Sequence, residues 1–123
     1  MKPLELTETN FGELVKSSPM LLVDFWASWC GPCRNFAPVF DTAARLHEEV
    51  TFGKVNTETQ QSLAAAARIT SIPTLMAFKD GVLVYSQPGA LDSRGLEELI
   101  TSLKNLDMAS VHAEKTAAGK TQS

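Results

Sequence analysis

Residues 20–33 read MLLVDFWASWCGPC, and the reading of this run decides the fold. Met20 to Trp26 are apolar apart from Asp24, and so continuous a run suits a central strand covered on both faces better than an edge strand covered on one. A Ser28-Trp29-Cys30-Gly31-Pro32 turn follows. From about Cys33 to Glu49, Phe36, Phe40, Ala43, Ala44 and His47 recur on one side of a helix. Pro38 is expected to kink that helix, because proline has no N–H to donate and crowds the preceding turn. The unit is a buried strand running into a helix, with two cysteines at the junction.

Upstream of it, Phe11, Leu14 and Val15 sit at i, i+3 and i+4 and predict a helix over Asn10 to Ser17, stopped by Ser18-Pro19. A short strand at Leu4 to Leu6 can precede it. Downstream, Thr51 to Asn56 reads as a strand and the alanine-rich Gln60 to Arg68 as a short helix. Thr74 to Lys79 and Val82 to Gln87 flank Asp80-Gly81, a favoured type I′ pair, and predict an antiparallel hairpin. Ser93 to Leu106 closes the pattern as an amphipathic helix striped by Leu96, Leu99, Ile100, Leu103 and Leu106. The order predicts an α/β fold. Crossovers through helices demand parallel pairing in the first half and the hairpin adds antiparallel pairing in the second, giving a central mixed sheet covered by helices on both faces. Residues 1–106 are expected to form one domain. Residues 107–123, polar and small, read as a flexible C-terminal tail.

The composition removes several function classes. Of 123 residues, 44% are hydrophobic and 20% charged, with a net charge of -3, which argues against a disordered chain and leaves no basic field for nucleic-acid phosphates. The opening MKPLELTETNF has neither the apolar core of a secretory signal nor the character of a transit peptide, so a cytoplasmic location is expected. Met20 to Ala27, the longest apolar stretch, falls far short of the roughly 20 residues of a membrane span, so no membrane association is expected. Two cysteines are too few for a disulfide-dense secreted scaffold.

A bridge between Cys30 and Cys33 closes a very short loop, worth about 2 kcal/mol by chain entropy against roughly 4 to 5 kcal/mol for a bridge spanning most of a domain. A bond made to be broken is the better reading. Zinc is the other use of a C-x-x-C pair, but no further cysteine exists, His47 falls on the core or flank of a helix and His112 in the tail. No metal is expected. Unpaired N–H groups and the macrodipole at a helix start favour an anion by about 0.3 to 2 kcal/mol, which alone carries a thiol from near 8.5 to about 7 or 8. Cys30, the more N-terminal sulfur, gains most and is expected to be the more exposed, as the nucleophile. Cys33, one turn on and facing inward, is the resolving thiol. Pro32 removes a donor that would stabilise the thiolate, which points to a reductant. Asp24, on a doubly covered strand, would cost several kcal/mol if charged and unpaired and is then largely neutral near pH 7; at a strand end it would instead point to solvent.

Trp29-Cys30-Gly31-Pro32-Cys33 after Val23-Asp24-Phe25-Trp26-Ala27, with Ile72-Pro73-Thr74 and Phe78-Lys79-Asp80-Gly81 downstream, resembles the thioredoxin family from about Leu6 to Leu106. The C-x-x-C alone is a modest signal. These segments in this order and spacing are highly specific. The resemblance implies a thioredoxin fold and a protein-disulfide reductase that cycles a redox-active Cys30–Cys33 disulfide without a bound cofactor. Its partners would be protein disulfides and a flavoprotein thioredoxin reductase using NADPH, and a monomer is expected. The resemblance makes Asp24 the proton acceptor for Cys33, with Lys54, by itself a solvated strand lysine, close enough to moderate it. It places Trp26 beneath the site and makes the Ile72–Pro73 bond cis, where trans is the default. Trp29, Gly31, Ile72, Pro73, Gly89 and Ala90 would form a shallow apolar rim, with the Ile72 backbone pairing with an extended substrate segment.

Arg34 and Asn35 stand where many members have Lys and Met, and Pro88 precedes Gly89. These departures bear on partner preference and leave the reaction intact. Two other functions stay open: a thioredoxin-fold binding, processivity or chaperone subunit that does not need the cysteines, and a disulfide oxidase or isomerase. Pro32 and the missing export signal disfavour the second.

Overall fold

The computed structural model describes residues 2–111. Its elements are β1 (Leu4–Glu5), α1 (Phe11–Ser17), β2 (Met20–Trp26), α2 (Gly31–Leu46), β3 (Thr51–Asn56), α3 (Gln61–Ala66), β4 (Thr74–Lys79), β5 (Val82–Pro88) and α4 (Ser93–Lys104). The five strands form one sheet in the order β1-β3-β2-β4-β5. β2 is central. It pairs in parallel with β3 and antiparallel with β4, and the β4–β5 hairpin extends the antiparallel half. This is the expected mixed α/β sheet.

Side-chain alternation divides the core at β2. Met20 and Leu22 point to the face where Phe36, Phe40, Ala43 and Ala44 of α2 meet Leu96, Ile100 and Leu103 of α4. Leu21, Val23 and Phe25 point to the other face, against Phe11, Leu14 and Val15 of α1 and Leu63 of α3. A strand covered on both sides has no polar face to show, which is why its sequence does not alternate. Phe40 meets Phe52 nearly edge-on, with ring centroids 5.2 Å apart. Each such ring, taken out of water, contributes about 1.5 to 3 kcal/mol. On the α1 face Leu6 presses against Gly53, where a Cβ would come within 2.5 Å of a Leu6 methyl. Only glycine leaves that space.

The ends of the elements depart from the sequence reading in instructive ways. Asp80 and Gly81 both have positive φ, 53° and 78°, as a type I′ turn requires. The register shifts between Ala77 and Phe78, so that Val84 is the extra residue on β5. α2 stays one helix across Pro38. It ends at Leu46, and His47 is its C-cap; the ring nitrogen Nε2 lies 2.7 Å from Glu97 of α4, so His47 flanks the core. α4 stops at Lys104, two residues early, because Lys79 Nζ donates to the carbonyls of Leu103 and Lys104 at 2.6 and 3.0 Å and to that of Leu106 at 3.2 Å. At the start of the expected tail, the Val111 N–H donates to the Asp107 carbonyl at 3.2 Å, while Asp107 Oδ1 accepts from the Ala109 N–H at 3.0 Å. Those residues make a helical turn. Residues 112–123, His112 included, lie outside the described residues.

Candidate active site

β2 ends at Trp26 in the middle of the sheet, and Ala27 to Cys30 form a turn in which the Cys30 N–H donates to the Ala27 carbonyl at 3.2 Å. α2 then starts at Gly31, two residues before the expected start. Periodicity is blind to this, since its first apolar marks come from Phe36. Pro32 belongs in the first turn, where a missing N–H costs nothing. Cys30 is therefore the N-cap, and its Sγ accepts the N–H of Cys33 at 3.2 Å. The two sulfurs are joined in a disulfide, with Cα atoms 5.2 Å apart. Sulfur at this position faces a free backbone donor and the positive end of a 16-residue helix, a site that favours a thiolate over a thiol.

Cys30 is the more exposed of the two cysteines, as expected, but by little. Its exposure exceeds that of Cys33 only as 4% against 2%, so the more N-terminal sulfur is buried too. Ala27, Trp26 and Ile72 pack around the pair, and the Ile72 carbonyl oxygen lies 3.7 Å from Cys30 Sγ. What projects is Trp29, 67% exposed.

Asp24 is fully buried, and neither carboxyl oxygen has a hydrogen-bond partner among the described residues. The outward-pointing alternative is thereby excluded. By alternation it shares the α2 face with Leu22, and it pairs in register with Lys54 on one side and Leu75 on the other. Burial pushes its carboxyl up to about 7; the Lys54 charge pulls it down and Asp41, on α2, adds a smaller upward push. Lys54 is half-buried and places Nζ 5.0 Å from the centre of the Trp26 ring. The ring face thus holds the cation beside the acid's strand.

The Ile72–Pro73 bond is cis. The Pro73 carbonyl accepts the Gly89 N–H at 2.7 Å, which ties the loop after β5 to this segment, and Gly89 has φ 103°, open to glycine and strained for other residues. Gly31 and Ile72 are half-buried, Pro73 is buried, and Gly89 and Ala90 are exposed. Trp29, Ile72, Ile69 and Thr57 line a shallow cavity of about 320 Å³ beside the disulfide. All the residues named from the motif and the rim are thus either at the β2–α2 junction or on segments packed against it.

Sequence reasoning missed Ser28, Glu58 and Thr57. Glu58 accepts from both the backbone N–H and the hydroxyl of Ser28, at 3.1 and 2.8 Å. Thr57 donates its N–H and its hydroxyl to the Trp26 carbonyl, at 2.9 and 3.0 Å. Arg34, noted only as a departure, donates to the Ser28 carbonyl at 3.0 Å. These contacts join residues up to 31 positions apart, and no local pattern marks them. Among the described residues no group of three His, Cys, Asp or Glu side chains is placed to hold a metal ion, and no helix is long and apolar enough to cross a membrane.

A sequence model of the thioredoxin family matches residues 2–104. A thioredoxin 2 of Streptomyces coelicolor is 47% identical over 108 residues, covering 88% of this chain and 81% of that protein. Thioredoxin 1 of Synechococcus elongatus is 51% identical over 88 residues, covering 70% of this chain and 82% of that protein. Among solved structures, oxidised mitochondrial thioredoxin 3 of Saccharomyces cerevisiae superposes with a TM-score of 0.75 at 32% identity, covering 81% of this chain and 94% of that one. Agreement along nearly the whole sheet, together with two cysteines bridged across the first turn of α2, means that the chain belongs to the thioredoxin family and is a thiol–disulfide oxidoreductase.

Proposed function

We propose that the protein reduces disulfides of other proteins, and that the residues of the β2–α2 junction divide the work. The Cys30 thiolate attacks one sulfur of the substrate disulfide and expels the other as a thiolate, leaving a mixed disulfide. Asp24 takes the proton of Cys33, directly or through a water, and the Cys33 thiolate attacks Cys30 Sγ. The substrate leaves as a dithiol, having gained two electrons from the cysteine pair and two protons, one returned by Asp24 and one taken from solvent, and Cys30–Cys33 is left oxidised. The observation that carries this reading is the placement of Cys30 Sγ as the N-cap of α2, accepting the Cys33 N–H. Buried Asp24 on the α2 face of the same strand supports the proton step. Lys54 modulates Asp24 and Trp26 packs beneath the site.

On this reading the exposed Trp29, with Gly31, Ile72, Pro73, Gly89 and Ala90, receives an extended segment of the substrate, and the Ile72 backbone pairs with it. Pro32 keeps the couple reducing. The protein carries no cofactor beyond its own disulfide, is a monomer in the cytoplasm, and is recharged by an NADPH-dependent thioredoxin reductase. Residues 1–106 are the working domain and 107–123 an appendage to it. NADPH-coupled reduction of insulin with the cognate reductase is the test. Steady turnover is expected, and Cys33→Ser should accumulate mixed disulfides on Cys30. Absence of turnover with a reductase that serves another thioredoxin would sink the reading.

A further inference from the structure

Ser28, the residue directly before the exposed Trp29, is solvent-facing, yet all of its polar groups are held. Its N–H and hydroxyl both donate to Glu58 Oε1, and its carbonyl accepts from Arg34 Nη1. The turn itself uses none of these, since its closing bond runs from the Cys30 N–H to the Ala27 carbonyl. The two anchors come from different elements. Glu58 stands in the loop after β3, where its own N–H donates to Asn56 Oδ1 at 2.9 Å and its carbonyl accepts from Gln61 Nε2 at 3.2 Å. Arg34 stands on the first turn of α2, next to Cys33. The Ser28 bonds also hold the Glu58 carboxyl below the usual carboxylate range.

Of the two peptide planes flanking Ser28, the one before it carries the Ala27 carbonyl and is already engaged by the Ala27–Cys30 bond, whereas the one after it can flip without breaking that bond. Arg34, on the Ser28 carbonyl, blocks that flip, and Glu58, on the Ser28 N–H and hydroxyl, ties the first plane and the Ser28 side chain to the loop after β3. Trp29 follows immediately, so the direction of its indole depends on these two planes. We propose that Glu58, acting through Ser28 with Arg34 as the opposing anchor, is a positioning residue that sets Trp29 for docking of the protein substrate. Glu58 touches neither sulfur, and its effect is on recognition.

This inference rests on the reading of Trp29 as a docking residue. Steady-state insulin reduction by Glu58→Ala tests it, with Glu58→Gln as the conservative variant because its amide oxygen can still accept from Ser28. For Glu58→Ala, KM for insulin should rise about fivefold with kcat changed less than about twofold, and Glu58→Gln should recover most of the loss. The rate of reduction by dithiothreitol, too small to need the platform, should stay within about twofold of the parent. The Trp29 indole N–H should show a lower NMR order parameter in Glu58→Ala than in the parent. An unchanged KM, or equal losses with insulin and dithiothreitol, would overturn the proposal. Failure of the parent protein to reduce insulin at all would instead remove the reductase reading on which it stands.

Discussion

Helices α2 and α4 begin alike and serve different ends. Each has an N-cap with extended backbone whose side chain accepts the N–H three residues on: Cys30 Sγ from Cys33 at 3.2 Å, and Asp92 Oδ1 from Gly95 at 2.7 Å. At α4 the capping atom is an oxygen in solvent, and its contribution ends with satisfying an orphan donor. At α2 the capping atom is a sulfur, packed under Ile72 and Trp26, and the residue donating to it carries the second sulfur. Capping geometry is general. On the proposed mechanism, reactivity comes from the atom installed in it and from buried Asp24 of the central strand.

The largest expected effect tests that distinction at its root. Cys30→Ser keeps a good capping group and loses the nucleophile, so reduction of insulin should fall at least about a thousandfold, while the stability of the protein stays close to that of the reduced parent. Turnover surviving in this variant would mean that the two helix starts do not differ in the way described.

Asp24 gives the next effect, and its sign follows from linkage. Below about pH 4 the carboxyl is protonated in both folded and unfolded chains, and no penalty arises. As pH climbs from 3.8 to about 7 the unfolded chain ionises while the folded one does not. Stability falls through this window, and above it the full loss is about 4 kcal/mol. Asp24→Asn does not titrate, so urea unfolding of the oxidised protein should lose this slope. Near pH 8 the variant should be more stable by part of that amount, since a buried amide without partners costs about 1 to 3 kcal/mol. Its turnover should be slower. A stability difference independent of pH would detach Asp24 from the contrast between the helices. The smallest effect belongs to α4: Asp92→Ala should cost about 1 kcal/mol in thermal or urea unfolding and leave insulin reduction unchanged. A marked fall in turnover would show that this cap too serves the reaction.

Most of the frame was legible because its signals are local. The continuous run from Met20 to Trp26 suited a strand covered on both faces better than an edge strand, and Asp80-Gly81 is a favoured pair for the tip of a tight hairpin. The cysteine pair, Asp24 and the Ile72-Pro73 segment were legible through their order along the chain. Element ends were not. The start of α2 is hidden because Gly31 and Pro32 look like a turn, although glycine and proline are tolerated at the first two helical positions. The end of α4 is hidden because its last carbonyls are taken by Lys79, 24 to 27 residues back in the chain.

By itself the sequence determined the α/β order, the parallel and antiparallel halves of the sheet, and the chemistry available at Cys30 and Cys33. Periodicity and residue type act over a few positions, and these features need nothing more. Only the tertiary structure decided that Asp24 points inward with no partner among the described residues, that Cys30 is covered and Trp29 bare, and that Ser28 is held by Glu58 and Arg34. Solvation and hydrogen bonding depend on which distant segments arrive beside a group. The sheet order, which brings β3 and β4 to either side of β2, settles that.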